Sequence, residues 1–279
     1  MSLIPSFAKN FLNRAAKQFA PDFYWKRRVN FLKNTFEETE LHLLPFLADV
    51  KKTSLDIGAA GGLFAMQLVD LSKDCVAFEP IPQAAADLKS MIRSVKANNV
   101  TVQCVALSDK NGDAVLRMLV KDLGRSTIEE ANILDDENAT EKRGLKVTIK
   151  KLDDYHFENV GFIKIDVEGH EMAVLKGAEE TIKKNLPCLL IEIEDRHKEN
   201  AVKDVPLFLK QFGYEAFFIL DGKITHINGF NKSVHQDSNN IGTSKDNYVR
   251  RGVYINNFIF IPSSGVQKFL SQISNFSLK

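Results

Sequence analysis

Apolar and polar positions along this chain change period after about residue 50. Before that point they follow a helix. Phe7, Phe11, Leu12, Ala15, Ala16 and Phe19 recur at helical spacing, with Lys9, Arg14 and Lys17 between them. A second helical region carries Tyr24, Trp25, Phe31, Leu32 and Phe36, and a third spans 41–47. From residue 51 short apolar runs alternate with helical stretches. Strands are predicted at 53–57, 75–78, 100–107, 162–167, 188–193, 216–220 and 258–261, and helices at 63–71, 83–97, 173–185 and 205–212. Two further strands, 114–120 and 145–152, flank a polar insertion at 121–144 with little core signal. The polar segment 228–251 is a candidate lid. This alternation implies an α/β domain, a mostly parallel sheet with helices on both faces. The expected organisation is a helical extension at 1–50, a main domain at 51–262 and a tail at 263–279.

Composition narrows the class. The chain has 279 residues, 44% of them hydrophobic, enough for a sizeable core. Its net charge of +1 implies no polyanion-binding surface, so nucleic acid is not an expected partner. Cys75, Cys104 and Cys188 all fall in apolar, strand-like stretches and form no C-x-x-C pair, which reads as buried thiols in a reducing compartment, the cytoplasm. The basic amphipathic pattern of residues 1–20 makes peripheral membrane contact an expectation beside docking on the domain itself. Oligomeric state is not legible.

The chemistry concentrates at two predicted strand ends. Leu55-Asp56-Ile57-Gly58-Ala59-Ala60-Gly61-Gly62 reads as a strand and a glycine-bearing turn, and Phe78-Glu79-Pro80 as a second strand ending in an acid. Such a layout suits a nucleoside-bearing cofactor, because glycines allow close backbone approach and a carboxylate can accept from two ribose hydroxyls. The G-x-G spacing of a dinucleotide turn fails at Ala60. Asp56 at the turn would repel a pyrophosphate and attract a cation, so S-adenosylmethionine fits better than NAD.

Lys164-Ile165-Asp166-Val167-Glu168-Gly169-His170-Glu171 is the second cluster. Asp166 alternates with apolar neighbours and should face a cleft. Glu168 and Glu171 flank a helix start, where negative charge is favoured. His170 is a candidate general base. Glu192 interrupts the next apolar run, and Asp166, Glu168 and Glu192 could converge on a divalent cation or a substrate hydroxyl. None of the other histidines shows metal-ligand spacing.

Taken in order, these blocks resemble the FkbM-type methyltransferase family. The matching residues are Asp56-Ile57-Gly58-Ala59 with Gly62, Phe78-Glu79-Pro80 with Pro82, Ala106-Leu107-Ser108-Asp109 with Gly112, Lys164 through Gly169 with Glu171, Leu175-Gly177, and Pro187 through Glu192. Ala60 stands where the family usually has asparagine. The resemblance implies a Rossmann-like class I methyltransferase fold and S-adenosylmethionine-dependent O-methylation of a sugar or other polyhydroxylated acceptor. It implies that Asp56, Gly58, Ala59 and Gly62 line the methionine end of the cofactor, that Glu79 and Pro80 lie at the ribose, and that Ala106, Leu107, Ser108 and Asp109 border the adenine. Asp166 and Glu168 would then face the methyl group and acceptor, with Asp166 the first choice of base and His170 the second. The alternatives are a non-catalytic S-adenosylmethionine-binding or scaffold protein and a nicotinamide oxidoreductase.

Overall fold

The computed structural model describes residues 6–34, 38–119, 122–130, 132, 134, 142–241 and 251–274. Helices α1 (Ser6–Phe19), α2 (Pro21–Asn34) and the short α3 (Leu44–Leu47) precede strand β1 (Thr53–Ile57). Alternation follows with α4 (Leu63–Leu68), β2 (Asp74–Phe78), α5 (Pro82–Ser94) and β3 (Val100–Gln103). A run of strands then intervenes: β4 (Ala106–Leu107), β5 (Gly112–Leu119), β6 (Asp122–Thr127) and β7 (Lys142–Lys150). Alternation resumes with β8 (Val160–Ile165), α6 (Glu171–Lys176), α7 (Glu179–Asn185), β9 (Cys188–Glu192) and α8 (Ala201–Lys210). The remaining elements are the hairpin β10 (Tyr214–Leu220) and β11 (Lys223–His226), then α9 (Lys232–His235), β12 (Asn257–Pro262) and α10 (Val266–Ile273).

The main sheet has the order β11-β10-β12-β9-β8-β1-β2-β3. Neighbours from β9 to β3 are parallel, and β12 runs antiparallel to both β9 and β10. A second sheet, β4-β7-β5-β6, stands beside it.

Period-two alternation assigns each strand residue to one of two cores. Ile163, Ile165, Leu189, Ile191, Phe258 and Phe260 pack on one face against Val174, Ile182, Val205 and Leu209. Phe162, Leu190, Ile259 and Ile261 face the other way, against Leu43, Leu44, Phe64, Leu68 and Phe269. Helix α2 adds Trp25, Val29 and Leu32 to a third cluster with Met66, Leu88 and Met91. Helix α2 is therefore packed on the α4–α5 layer.

Several boundaries depart from the sequence expectation. The stretch 100–107 is two strands in two sheets, and Cys104, at the crossing, is exposed rather than buried. The helix expected at 173–185 is broken at Gly177, where a Cβ would lie 1.9 Å from the Ser108 carbonyl oxygen. Helix α7 then takes its cap from a distant residue: Asp153 accepts from the amides of Glu180 at 3.1 Å and Thr181 at 2.8 Å. The polar insertion contributes β6, and its Thr127, Asn132 and Leu134 are buried. The stretch 228–251 holds α9 with a buried His235, while 242–250 lie outside the described residues. Among the described residues no helix is long and apolar enough to cross a membrane.

Candidate active site

Ladder geometry puts β1 in the middle of the five parallel strands β9-β8-β1-β2-β3, where the chain first builds outward to β3 and later returns on the other side at β8. Ligands in open α/β sheets bind beyond the strand ends at this reversal. Here the β1 turn and the β8 end meet backbone to backbone. The Asp166 amide donates to the Ile57 carbonyl at 2.9 Å. Gly58 has φ +83°, and a Cβ there would lie 1.8 Å from the Asp166 carbonyl oxygen. Gly62, at φ +81°, packs against Leu88, whose Cδ1 would lie 2.8 Å from an added Cβ.

Glu79, only 4% exposed, closes the end of β2. Its Oε2 accepts from the Ala60 amide at 2.8 Å and its Oε1 from the Ile81 amide at 2.7 Å. Burial pushes its carboxyl up, and the two amides oppose that. Ala60 has φ +39°, a left-handed conformation that asparagine tolerates better than alanine.

A cleft opens over these strand ends. Its apolar walls are formed mainly by Ile81, Val105, Ala106, Leu107, Leu116 and Ile128. Gly58, Glu79 and Pro80 line one part, and Asp166 and His170 another. Ala59 and Gly62 support the turn from beneath, and Ser108 is buried behind the wall while Asp109 is exposed. Asp56 does not line the cleft. It is 2% exposed, and its Oδ2 has no hydrogen-bond partner. Burial raises its carboxyl to about 7 against the pull of Lys164.

Lys164 is the buried cation of the site. Its Nζ donates to Asn257 Oδ1 at 3.0 Å, stands 3.8 Å from Asp166 Oδ2 and lies 5.0 Å from the centre of the Phe64 ring. Burial works against its charge, but Asp166 and then Glu192 hold its ammonium protonated and its pKa raised. Asp166 keeps a third of its side chain exposed to the cleft.

His170 Nε2 lies 2.9 Å from Ser108 Oγ. Its Nδ1 is buried, and Glu129 Oε2, at 3.9 Å, is too far to hydrogen-bond. Burial lowers the His170 pKa, with Glu129 opposing. Glu168 adopts φ +53°, and its carboxylate meets His197 Nε2 at 3.2 Å. Its carbonyl accepts from Thr127 Oγ1 at 2.7 Å and Asn132 Nδ2 at 2.8 Å. Those two bonds anchor the insertion over the cleft, which explains why Ser126 and Ile128 reach its wall. Glu171 is buried, accepts from the Gly169 amide at 2.8 Å, and is raised to about 7 by burial.

The cation site that Asp166, Glu168 and Glu192 could form is not seen among the described residues. Among the described residues no three His, Cys, Asp or Glu side chains are grouped to hold a metal ion. Each candidate is committed elsewhere: Asp166 to Lys164, Glu168 to His197, and Glu192 to Asn256 at 2.7 Å. Burial, then the nearby Asp166, pushes the Glu192 carboxyl well up.

The residues missed from sequence are Asn256 and Asn257, His197, Thr127 and Asn132. Only the first two carried a signal, two amides breaking the apolar run at the start of β12.

An open, mostly parallel sheet reversing at β1, with a glycine turn facing an acid at the neighbouring strand end, defines a Rossmann-like class I methyltransferase fold. A family model, the methyltransferase FkbM domain, matches residues 56–216, more than half of the chain, which therefore belongs to the FkbM methyltransferase family, one of S-adenosylmethionine-dependent enzymes. Among solved structures, the chain is similar to a methyltransferase FkbM from Methylobacillus flagellatus KT, at 14% identity and TM-score 0.49, covering 89% of this chain and 60% of that one. It spans, that is, less than two thirds of that protein's length. It is also similar to an rRNA methylase from Streptococcus thermophilus, at 13% identity and TM-score 0.44, covering 80% of this chain and 92% of that one. A third similar structure is a SAM-dependent methyltransferase from Aquifex aeolicus, at 14% identity and TM-score 0.39, covering 84% of this chain and 96% of that one. No curated protein matches the sequence.

Proposed function

We propose that the chain is an S-adenosylmethionine-dependent O-methyltransferase acting on a hydroxyl of a sugar or another polyhydroxylated acceptor. The observation that carries this reading is the cleft itself: apolar walls with a buried, amide-anchored carboxylate, Glu79, on one side and Asp166 on another. The residues present fit the donor. Each Glu79 oxygen takes one amide and keeps a second lone pair for a ribose hydroxyl. Pro80, Ala106 and Leu107 offer a flat apolar border for adenine. The Gly58 turn, with Ala59, Gly62 and the buried Asp56 beneath it, belongs to the cationic end of the ligand.

A bound sulfonium donor supplies an electrophilic methyl group. The chain supplies position and a base. Asp166 faces the cleft with a carboxylate oxygen 3.8 Å from Lys164 Nζ, and Asn257 fixes that ammonium in turn. Asp166 accepts the proton of the acceptor hydroxyl, while the walls hold oxygen and methyl in line. His170 is the weaker candidate, because its Nε2 is engaged by Ser108. Glu168, braced by His197, orients the acceptor beside Asp166.

The test is incubation with methyl-labelled S-adenosylmethionine and a native extract or a panel of polyols, followed by identification of the product. The expected product is a methyl ether formed together with S-adenosylhomocysteine. Label on nitrogen or carbon, or no S-adenosylhomocysteine with any acceptor, contradicts the proposal.

A further inference from the structure

A second cleft lies behind the Glu79–Ala60 contact. It lies open to solvent between α2 and α5, and Ala60, Glu79 and Ile81 line both it and the first cleft. Tyr24, Arg28, Gly61, Gln83 and Asp87 complete its polar lining.

Its charges are unequally satisfied. Asp87 is neutralised by Lys17, whose Nζ lies 3.0 and 2.8 Å from the two carboxylate oxygens, and Gln83 also donates to it at 2.8 Å. Glu79 is bound by two amides. Arg28 differs. Among the described residues no carboxylate pairs with it, and its charge contact is the Phe31 ring, 5.6 Å away. Its Nη2 lies 3.8 Å from where a Gly61 Cβ would be, so the guanidinium stands against the glycine turn. An unpaired guanidinium on a cleft wall presents a planar fork that matches a carboxylate.

We propose that this cleft is an oxyanion subsite in which Arg28 takes a carboxylate belonging to a ligand of the adjoining donor cleft or to its acceptor. The inference rests on the donor reading above. Two sources carry that group: the amino-acid end of the donor, or an acidic sugar such as a uronic acid. Either way, a residue of the N-terminal extension becomes part of the ligand-binding surface.

Equilibrium binding to wild type, Arg28→Gln and Arg28→Lys separates the cases. The probes are S-adenosylhomocysteine, methylthioadenosine, which lacks the carboxylate, and glucuronate added to S-adenosylhomocysteine-saturated protein. Arg28 is exposed, so both variants should fold, and thermal unfolding checks this. Arg28→Gln should weaken one carboxylate ligand about tenfold or more while methylthioadenosine affinity is unchanged, with Arg28→Lys intermediate. Weakening of S-adenosylhomocysteine identifies the donor as the source, and weakening of glucuronate the acceptor. If wild type binds S-adenosylhomocysteine and methylthioadenosine but Arg28→Gln changes neither carboxylate ligand, this inference alone is overturned. If wild type binds neither nucleoside, the donor reading falls and takes this inference with it.

Discussion

Gly58 and Asp166 approach so closely that a Cβ on the first would lie 1.8 Å from the carbonyl oxygen of the second. That contact joins the two strand ends that carry the chemistry, and it adds to a φ of +83° that disfavours any side chain. Gly58→Ala should therefore cost more than about 2 kcal/mol of stability and abolish donor binding. Gly61→Ala is the control, since the nearest atom to its Cβ is the flexible Arg28 tip at 3.8 Å. Denaturant unfolding of both variants tests this, and equal stabilities would contradict it.

Glu79 and Asp166 should fail differently. Glu79→Ala removes two amide contacts and the proposed ribose partner, so S-adenosylhomocysteine affinity should fall at least tenfold, on the scale of about 1.5–3 kcal/mol for a hydrogen bond to a charged group. Asp166→Ala should abolish turnover and weaken S-adenosylhomocysteine less than Glu79→Ala does, both by calorimetry. Full activity in Asp166→Ala removes it from the mechanism.

Ala60 holds a left-handed conformation that costs alanine more than asparagine, and its amide anchors Glu79. Ala60→Asn should leave the fold intact, raise the melting temperature slightly and tighten donor binding. A drop in both would mean that the turn is shaped around the smaller residue.

Glu171 gives a pH prediction with a definite sign. Its carboxyl is raised from 4.5 to about 7 by burial, so between those values the folded state holds a proton that the unfolded chain has lost. Stability therefore falls as pH rises from about 4.5 to about 7, and the full penalty persists above. Glu171→Gln, which keeps an acceptor for the Gly169 amide, should gain more melting temperature relative to wild type at pH 8 than at pH 5. A gain independent of pH would contradict the assignment.

Much of this architecture is legible in the chain because buried parallel strands impose a plain rule. Phe162 and Ile163, or Leu189 and Leu190, alternate between two cores, and an acid in such a run must face a strand end or a partner. Asp166 follows that rule by facing the cleft. Asp56 follows it otherwise, buried near Lys164, and sequence alone does not separate these outcomes. The insertion was opaque for a different reason. Strand β6 has a polar sequence, and the anchoring of Thr127 and Asn132 on the Glu168 carbonyl joins residues about forty positions apart, 41 and 36 in number. Arg28 was illegible because a basic run on a helix ordinarily signifies a solvated face. Only the packing of α2 on α5 places one of its charges against the glycine turn.

The central claim is that the cleft between Glu79 and Asp166 takes a sulfonium donor, and titration calorimetry tests it most directly. S-Adenosylmethionine and NAD are each titrated into wild-type and Glu79→Ala protein. The account predicts saturable binding of S-adenosylmethionine to wild type, loss of at least tenfold in the variant, and no heat from NAD. Saturable binding of NAD, or of neither ligand, would contradict it.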